Sequence, residues 1–193
     1  SPGDTWTVGD ASVTVLGPQK AYEDTNNTSI VLRLDYGETS FLFTGDAERD
    51  AEADMLEAGA ALQADVLKVG HHGSDTSSSY VFLREVMPTY AVISVGEGNA
   101  YGHPTEAVLS RLRDAGATLY RTDLQGTITC ISDGETLSFS TQRRCDASAL
   151  WLAADTLASV KPGNIPTVAP QSSPYIGNRN TGKFHYADCA SVD

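Results

Sequence analysis

The order of short apolar segments and helical segments is the feature that most limits what this chain can fold into. From residue 6 to residue 141, β-branched runs alternate with stretches of helical periodicity. This alternation predicts a mixed β-sheet with helices packed on it, which is the α/β class. The predicted strands cover residues 12–16, 29–34, 40–44, 65–69, 90–95, 118–121, 127–132 and 136–140. The predicted helices cover residues 47–58 and 104–116, and a third helix lies between a Ser/Thr cap at 76–79 and Pro88.

The charge of the chain is strongly acidic and unevenly distributed. The 193 residues carry a net charge of −12, and residues 142–193 hold five basic and four acidic side chains. The acidic excess therefore lies on residues 1–141, which carry −13. Such a surface repels phosphate backbones, which excludes a nucleic-acid binder that works by charge alone. No apolar run approaches the roughly 20 residues that a membrane-spanning helix requires.

Composition divides the chain into three predicted regions. Residues 1–141 form the α/β domain, residues 142–174 contain a helix at 147–159 and a Pro-containing linker, and residues 175–193 begin a further module. The chain does not start with Met, so we expect it to belong to a longer protein. Three cysteines are too few for a disulfide scaffold. Two alternatives remain, one bridge between Cys130 and Cys145 or separate thiols.

Polar residues follow two predicted strands at the edge where open α/β sheets place their ligands. Asp46 comes after the strand at 40–44, and the pair His71 and His72 follows the strand at 65–69 between two glycines, with Ser74 next. For Asp46 alone, the other interpretation is a helix N-cap for the residues that follow. For the two histidines, it is a pair of exposed loop side chains.

His103 is a third candidate, within the run Tyr-Gly-His-Pro. It precedes Pro104 and Glu106, which predicts a helix N-cap at His103. A helix N-terminus keeps an imidazole neutral and binds anions, although structural capping explains the pattern equally well. The amides of Asn26 and Asn27 precede a strand and predict a turn.

Carboxylate and imidazole side chains together suit Zn²⁺, Mn²⁺ or Fe²⁺. Such an ion makes a nucleophile by lowering the pKa of a bound water. Because adjacent side chains point in roughly opposite directions, one of His71 and His72 is expected to bind a given ion. The other is expected to orient ligands or to donate a proton.

Five segments together carry a specific resemblance to a known family. They are residues 26–37 (NNTSIVLRLDYG), 41–48 (FLFTGDAE), 64–74 (ADVLKVGHHGS), 101–104 (YGHP) and 120–123 (YRTD). In this order they resemble the metallo-β-lactamase-fold domain of ComEC-like DNA-uptake competence proteins, from about residue 13 to residue 134. The resemblance implies an αββα sandwich of two mixed sheets with outer helices and a metal site at one edge.

The resemblance also implies roles for the candidate residues. Asp46 corresponds to a carboxylate that bridges two metal ions, and the pair His71 and His72 corresponds to the last histidine ligand. His103 corresponds to a histidine near the site. We take Asp46, His72 and His71 as metal ligands, and His71, His103 and Ser74 as catalytic candidates. The implied cofactor is one or two divalent ions, Zn²⁺ or Mn²⁺.

The chain departs from the family pattern in one important respect. The His-x-His-x-Asp-His loop of the superfamily does not occur before Asp46, and Asn26 and Asn27 stand where many relatives have a histidine. We therefore expect only the C-terminal part of the fold, with one sheet face poorly covered. The expected partner is the N-terminal half of the fold or the parent chain, and this chain alone is expected to be inactive.

The implied function is metal-dependent hydrolysis of a phosphodiester, with DNA as the expected substrate. Two alternatives stay open. One is hydrolysis of a small ester, such as a phosphocholine ester or a lactone, for which an acidic surface is no obstacle. The other is a non-catalytic binding module with an incomplete metal site. By resemblance, the expected location is extracytoplasmic or secreted, in a bacterium.

The C-terminal tail carries a second resemblance. Residues 175–178 (YIGN) and 183–189 (KFHYADC) resemble the opening of an Ada-like zinc-binding module. His185 and Cys189 would form half of a zinc site there, and a tail without fixed structure is the alternative.

Overall fold

The computed structural model describes residues 1–159 and the backbone of residues 175–178 and 183–186. Its α/β organisation confirms the predicted fold class. The strands are β1 Thr5–Val8, β2 Ala11–Gly17, β3 Val31–Tyr36, β4 Thr39–Phe43, β5 Val66–Lys68, β6 Tyr90–Ile93, β7 Thr118–Arg121, β8 Ile128–Ser132, β9 Leu137–Thr141, β10 Tyr175–Asn178 and β11 Lys183–Tyr186. The helices are α1 Arg49–Glu57, α2 Tyr80–Val86, α3 Glu106–Asp114, α4 Thr122–Gln125 and α5 Ala154–Ser159.

Seven strands form one mixed sheet in the order β1 to β7. The first four strands are joined as antiparallel neighbours, and β4 to β7 run parallel to one another. Parallel neighbours need crossover connections, and α1, α2 and α3 supply them. The carboxyl ends of β4, β5 and β6 consequently lie at one edge of the sheet. The sequence did not predict β1 or the short α4.

One face of the sheet packs against the three crossover helices. Leu42, Leu67, Ala91 and Leu119 lie in register across β4 to β7 and are almost completely buried. They share a core cluster with apolar residues of α1, α2 and α3. Burial of this row removes the apolar stripe of each helix from water, which is the main stabilising contribution to such a layer.

The opposite face is covered much less. Phe43 is 42% exposed, and Val92 on β6 is only partly buried. The β8–β9 hairpin covers one end of this face, where the Phe139 ring stacks 4.5 Å from Tyr120 and lies 4.6 Å from Tyr90. The expectation of a poorly covered face is met. Tyr90 and Val92 of β6 are accordingly only partly buried.

A buried ion pair attaches the segment after the sheet. Arg121 is 0% exposed, and its guanidinium donates to both carboxylate oxygens of Asp123 at 3.1 and 2.6 Å. The same guanidinium donates to the carbonyl oxygens of Leu150 and Leu152. Ala153 belongs to the core cluster. Residues 150–153 therefore pack against the sheet domain, and the predicted domain boundary at residue 141 stays a prediction.

The start of α1 corrects one sequence interpretation. The helix begins at Arg49 with Glu48 at its N-cap, so Asp46 does not cap it. The cap is supplied by the buried side chain of Asn27, which is distant from α1 in sequence. Its Oδ1 accepts hydrogen bonds from the backbone N–H groups of Glu48 at 3.0 Å and Ala51 at 3.2 Å. The predicted turn at Asn26 and Asn27 is confirmed as one 3₁₀ turn.

We expect the Asn27→Ala variant to lower the free energy of unfolding by about 1–2 kcal/mol, because two helix N–H groups lose their acceptor. Urea denaturation followed by circular dichroism measures the change. The Asn27→Asp variant keeps an acceptor oxygen near the positive helix terminus, so its loss is expected to be smaller. Equal losses for the two variants would show that Oδ1 does not cap the helix.

Two other sequence predictions concern the tail and the cysteines. Cys130 and Cys145 are both free thiols, so the disulfide alternative is wrong. The backbone of β10 and β11 forms an antiparallel hairpin, whereas the proposed zinc ligands His185 and Cys189 lie outside the residues whose side chains are described.

Among the helices that the structure describes, none is long and apolar enough to cross a membrane.

Candidate metal centre

The candidate residues meet at the edge formed by the carboxyl ends of β4, β5 and β6. Asp46 follows β4, His71 and His72 follow β5, and Ser94 follows β6. This edge is the usual ligand position of an open α/β sheet. The contacts described below bring Asp46, His72 and His103 to this edge.

Asp46 and His72 form the closest pair of potential ligands. Oδ1 of Asp46 lies 3.4 Å from Nε2 of His72, and their side chains are 41% and 49% exposed. Nδ1 of His72 lies 2.6 Å from the carbonyl oxygen of Ser94. Since a carbonyl only accepts, Nδ1 must carry the proton, and in the neutral ring the lone pair is on Nε2. When His72 is neutral, a solvent-accessible nitrogen lone pair and a carboxylate oxygen therefore face each other.

His71 is held by a different partner. Its Nδ1 lies 3.0 Å from Oε1 of Glu48, so the carboxylate fixes the tautomer with the lone pair on Nε2. Oε1 of Glu48 also accepts from the hydroxyl of Thr76 at 2.7 Å and from the amide of Asn26 at 3.2 Å. The rings of His71 and His72 are 6.5 Å apart at 68°. The two imidazoles diverge toward separate partners, as expected for adjacent side chains.

Ser74 does not reach the Asp46–His72 pair. The residue is buried, and its Oγ lies 2.9 Å from the hydroxyl of Thr76. Thr76 in turn bonds to Glu48, which bonds to His71. Ser74 is therefore the outer end of a hydrogen-bonded chain that orients the His71 ring.

The backbone of the histidine loop adopts an uncommon conformation. His71 and His72 both have positive φ, 46° and 55°, which costs energy for residues other than Gly. Gly73 permits close approach, because a Cβ there would lie 2.7 Å from the side chain of Pro104. Gly45 has the same function on the other side, where a Cβ would lie 2.9 Å from Ser29. These close approaches hold the histidine loop against its neighbours.

His103 lies beside His71 but does not cap α3. The rings of His71 and His103 are 5.8 Å apart, and Thr105 is the N-cap, with its hydroxyl accepting from the N–H of Val108. The predicted capping role of His103 is therefore wrong. Burial first, and the imidazoles of His71 and His72 second, lower the pKa of His103. Its Nδ1 is buried and has no hydrogen-bond partner within the described part of the chain.

Lys68 is a cation that sequence reasoning missed at this edge. It ends β5 on the open face of the sheet, in register with Phe43 and Val92. Its Nζ donates to the carbonyl oxygen of Val69 at 2.8 Å. Burial lowers the pKa of Lys68, and the Asp46 carboxylate opposes that shift.

The donor set fits part of a divalent metal site. Asp46 and His72 supply an oxygen and a nitrogen that suit Zn²⁺ or Mn²⁺. Within residues 1–159, no group of three or more His, Cys, Asp or Glu side chains is arranged to hold an ion. A catalytic zinc takes three protein ligands plus water. Two donors are in place, and a third is not among the described side chains.

Glu48 is the residue of this candidate site that sequence reasoning missed most clearly. It follows Asp46 by two positions, and an acidic residue so close to a candidate ligand was the available signal. The signal was weak because the adjacent helix is rich in acidic residues. The role of Glu48 depends on contact with a histidine 23 positions away.

Comparison with known families and proteins finds one matching family and several relatives. The family described as the metallo-beta-lactamase superfamily matches residues 1–97. Competence protein ComA of Neisseria gonorrhoeae is 50% identical over 106 residues, which are 54% of this chain and 15% of that protein. ComE operon protein 3 of Bacillus subtilis is 39% identical over 127 residues, which are 65% of this chain and 16% of that protein.

A third relative has a different name and a similar overlap. Recombination protein 2 of Haemophilus influenzae is 36% identical over 115 residues, which are 59% of this chain and 14% of that protein. The chain thus spans between 14% and 16% of the length of these three curated relatives. No solved structure matches the chain with significance.

Proposed function

The chain belongs to the metallo-β-lactamase superfamily, and from this premise we propose that it is part of a metal-dependent hydrolase that cleaves phosphodiesters. The observation that carries the proposal is the facing of Asp46 Oδ1 and His72 Nε2 at 3.4 Å. Both groups are accessible to solvent, and the Nδ1 proton of His72 is fixed by the Ser94 carbonyl. Similarity to the ComA and ComE operon proteins supports a ComEC-like competence domain.

We assign the metal-ligand roles to Asp46 and His72, with His71 as a further candidate. The ion, Zn²⁺ or Mn²⁺, would supply a bound water of lowered pKa and neutralise charge on the phosphoryl group. We propose that the remaining ligands come from a segment of the parent protein outside this chain. The term complete domain is used below for this chain joined to that segment.

The other polar residues of the edge orient the ligands and the substrate. Glu48 holds the Nδ1 proton of His71, and Ser74 acts through Thr76 on the same carboxylate. In our proposal Ser74 therefore positions the His71 ring and is no longer a catalytic candidate. His103 is our candidate for the group that moves a proton to the leaving group, and because its Nδ1 is buried this role falls to Nε2.

The substrate and the location follow from the relatives and are proposals for this chain. Two relatives are named as competence or ComE operon proteins, which supports a role in DNA uptake and DNA as the substrate. The location that we propose is outside the cytoplasmic membrane of a bacterium. The net charge of −13 over residues 1–141 opposes a deep polyanion groove. A bound metal ion would offset this charge locally, as does the Lys68 ammonium that interacts with Asp46.

A small phosphocholine ester or a lactone is the second candidate substrate, because an acidic surface does not repel it. Turnover of bis-p-nitrophenyl phosphate, compared with phosphocholine esters and lactones in added Mn²⁺ or Zn²⁺, separates the two candidates in the complete domain. Faster turnover of the esters would overturn the phosphodiesterase proposal. No turnover of any of these substrates, with metal bound, would favour a non-catalytic binding module.

We expect the 193-residue chain alone to bind Zn²⁺ or Mn²⁺ weakly and to hydrolyse phosphodiesters negligibly, because two ligands are fewer than a catalytic ion takes. Elemental analysis of the purified chain and isothermal titration with ZnCl₂ measure the binding. Adding the upstream segment as a complementing polypeptide is expected to restore both metal content and turnover.

The His72→Ala variant is the matched test of that residual affinity. It removes the imidazole nitrogen that lies 3.4 Å from Asp46 Oδ1, so the remaining zinc affinity is expected to vanish. Stoichiometric metal in the purified wild-type chain, together with measurable turnover, would contradict the two-ligand assignment.

A further inference from the structure

An exposed aromatic ring stands next to the candidate metal centre. Tyr101 is 83% exposed, more than any other large apolar side chain that the structure describes. Its ring stacks on the ring of His103, with centroids 6.0 Å apart and planes at 24°. The ring of His103 contacts the ring of His71, which neighbours His72. A row of aromatic rings therefore leads from the surface to the Asp46–His72 pair.

The loop holds Tyr101 in place although the ring is exposed. Oδ1 of Asn99 accepts from the N–H groups of Tyr101 at 3.2 Å and His103 at 3.1 Å, and its amide donates to the His103 carbonyl at 2.7 Å. Helix α5 supports the loop from behind, since a Cβ at Gly102 would lie 3.1 Å from the carboxylate of Asp155. An ordered backbone lowers the entropy lost when a ligand stacks on the ring.

We propose that Tyr101 is a stacking platform for an unpaired nucleobase next to the phosphodiester that is cleaved. This inference rests on the proposed function and names its substrate class as single-stranded nucleic acid. Tyr101 is 83% exposed and the centroid of its neighbour His103 lies 6.0 Å away, so at least one face of the tyrosine ring is open to a flat ligand. Base-aromatic stacking needs no positive charge, so it provides affinity on a surface that repels phosphates.

Two features favour a nucleobase over other ligands. A base within a duplex has both faces covered by its neighbours, so only an unpaired base can stack on a protein ring. A quaternary ammonium such as choline is typically recognised by an aromatic cage. Tyr101 offers one open face, and its stacking neighbour within the described residues is an imidazole.

The test uses the 193-residue chain in EDTA, so that binding is measured without hydrolysis. The probes are a fluorescein-labelled single-stranded oligothymidylate of about eight nucleotides and an abasic strand of the same length. Fluorescence anisotropy at fixed low salt gives both affinities. We expect the thymidylate strand to bind more tightly, and the Tyr101→Ala variant to weaken its binding by about 5- to 150-fold. Binding of the abasic strand should not change.

Two further variants control for chemistry and folding. Tyr101→Phe keeps the ring and is expected to keep the affinity. Tyr80→Ala removes another exposed tyrosine, on α2, and is expected to have no effect. Overlapping ¹⁵N–¹H spectra outside the loop confirm that each variant folds.

Three results would overturn the inference: no binding of the thymidylate strand, equal affinity for the abasic strand, or unchanged binding by Tyr101→Ala. Tyr101-dependent binding of phosphocholine without strand binding would also overturn it, in favour of the ester substrate. The proposed function has its own readout, turnover by the complete domain, so the two can fail separately.

Discussion

We expect the Asp46→Ala variant of the complete domain to show no measurable phosphodiester turnover. Asp46 is the carboxylate that faces His72 Nε2 at 3.4 Å, and its loss removes one of the two donors that the structure brings together. Without a bound ion, the chain has no activated water and no counter-charge for the phosphoryl group. The measurement is kcat for bis-p-nitrophenyl phosphate in Mn²⁺ or Zn²⁺, together with the metal content of the protein.

The control for Asp46 is a carboxylate on the same stretch of chain. Asp50 is exposed in the first turn of α1, and the Asp50→Asn variant is expected to keep turnover and metal content. The His103→Ala variant is expected to lose about 10²- to 10⁴-fold in kcat while it keeps the metal, as for a group that moves a proton. Turnover of Asp46→Ala within about tenfold of the wild type would place the metal ligands elsewhere.

The second large effect concerns stability. We expect Arg121→Met to lower the free energy of unfolding by about 3–5 kcal/mol, because Asp123 becomes a buried charge without a partner. The carbonyl oxygens of Leu150 and Leu152 also lose their donor, which releases the segment behind the Tyr-Gly-His-Pro loop. Chemical denaturation followed by circular dichroism measures the change.

Two variants show whether burial of the pair causes the loss. The double variant Arg121→Met/Asp123→Leu removes both charges, so part of the stability is expected to return. Arg84→Met breaks an exposed ion pair with Glu85 and is expected to cost less than about 1 kcal/mol. Equal losses for Arg121→Met and Arg84→Met would show that the Arg121–Asp123 pair does not anchor residues 150–153.

Much of the fold could be predicted from local patterns. The apolar runs that became β4 to β7, the Ser/Thr cap of α2 and the stops that end α2 and α3 were predicted with small shifts at their ends. These signals depend on neighbours within a few residues. The position of Asp46 and the two histidines at strand ends was predicted for the same reason, because strand direction fixes which edge they reach.

The caps were predicted less well, because their partners are distant in sequence. The acceptor at the start of α1 is Asn27, which lies more than twenty residues upstream, so the adjacent Asp46 was a plausible cap and a wrong one. Thr105 caps α3 in place of His103, whose ring instead lies between the rings of Tyr101 and His71. A local motif indicated the helix start but not which side chain would cap it.

The sequence by itself determined the α/β class, the order of the elements and the presence of a carboxylate and two imidazoles at one sheet edge, because apolar periodicity and strand direction are local properties. Only the tertiary structure decided which imidazole faces Asp46. His72 bonds to the Ser94 carbonyl of the next strand, and His71 bonds to Glu48 beside the previous strand. The choice depends on which polar groups the neighbouring strand ends bring within hydrogen-bonding distance, and no spacing along the chain encodes that distance.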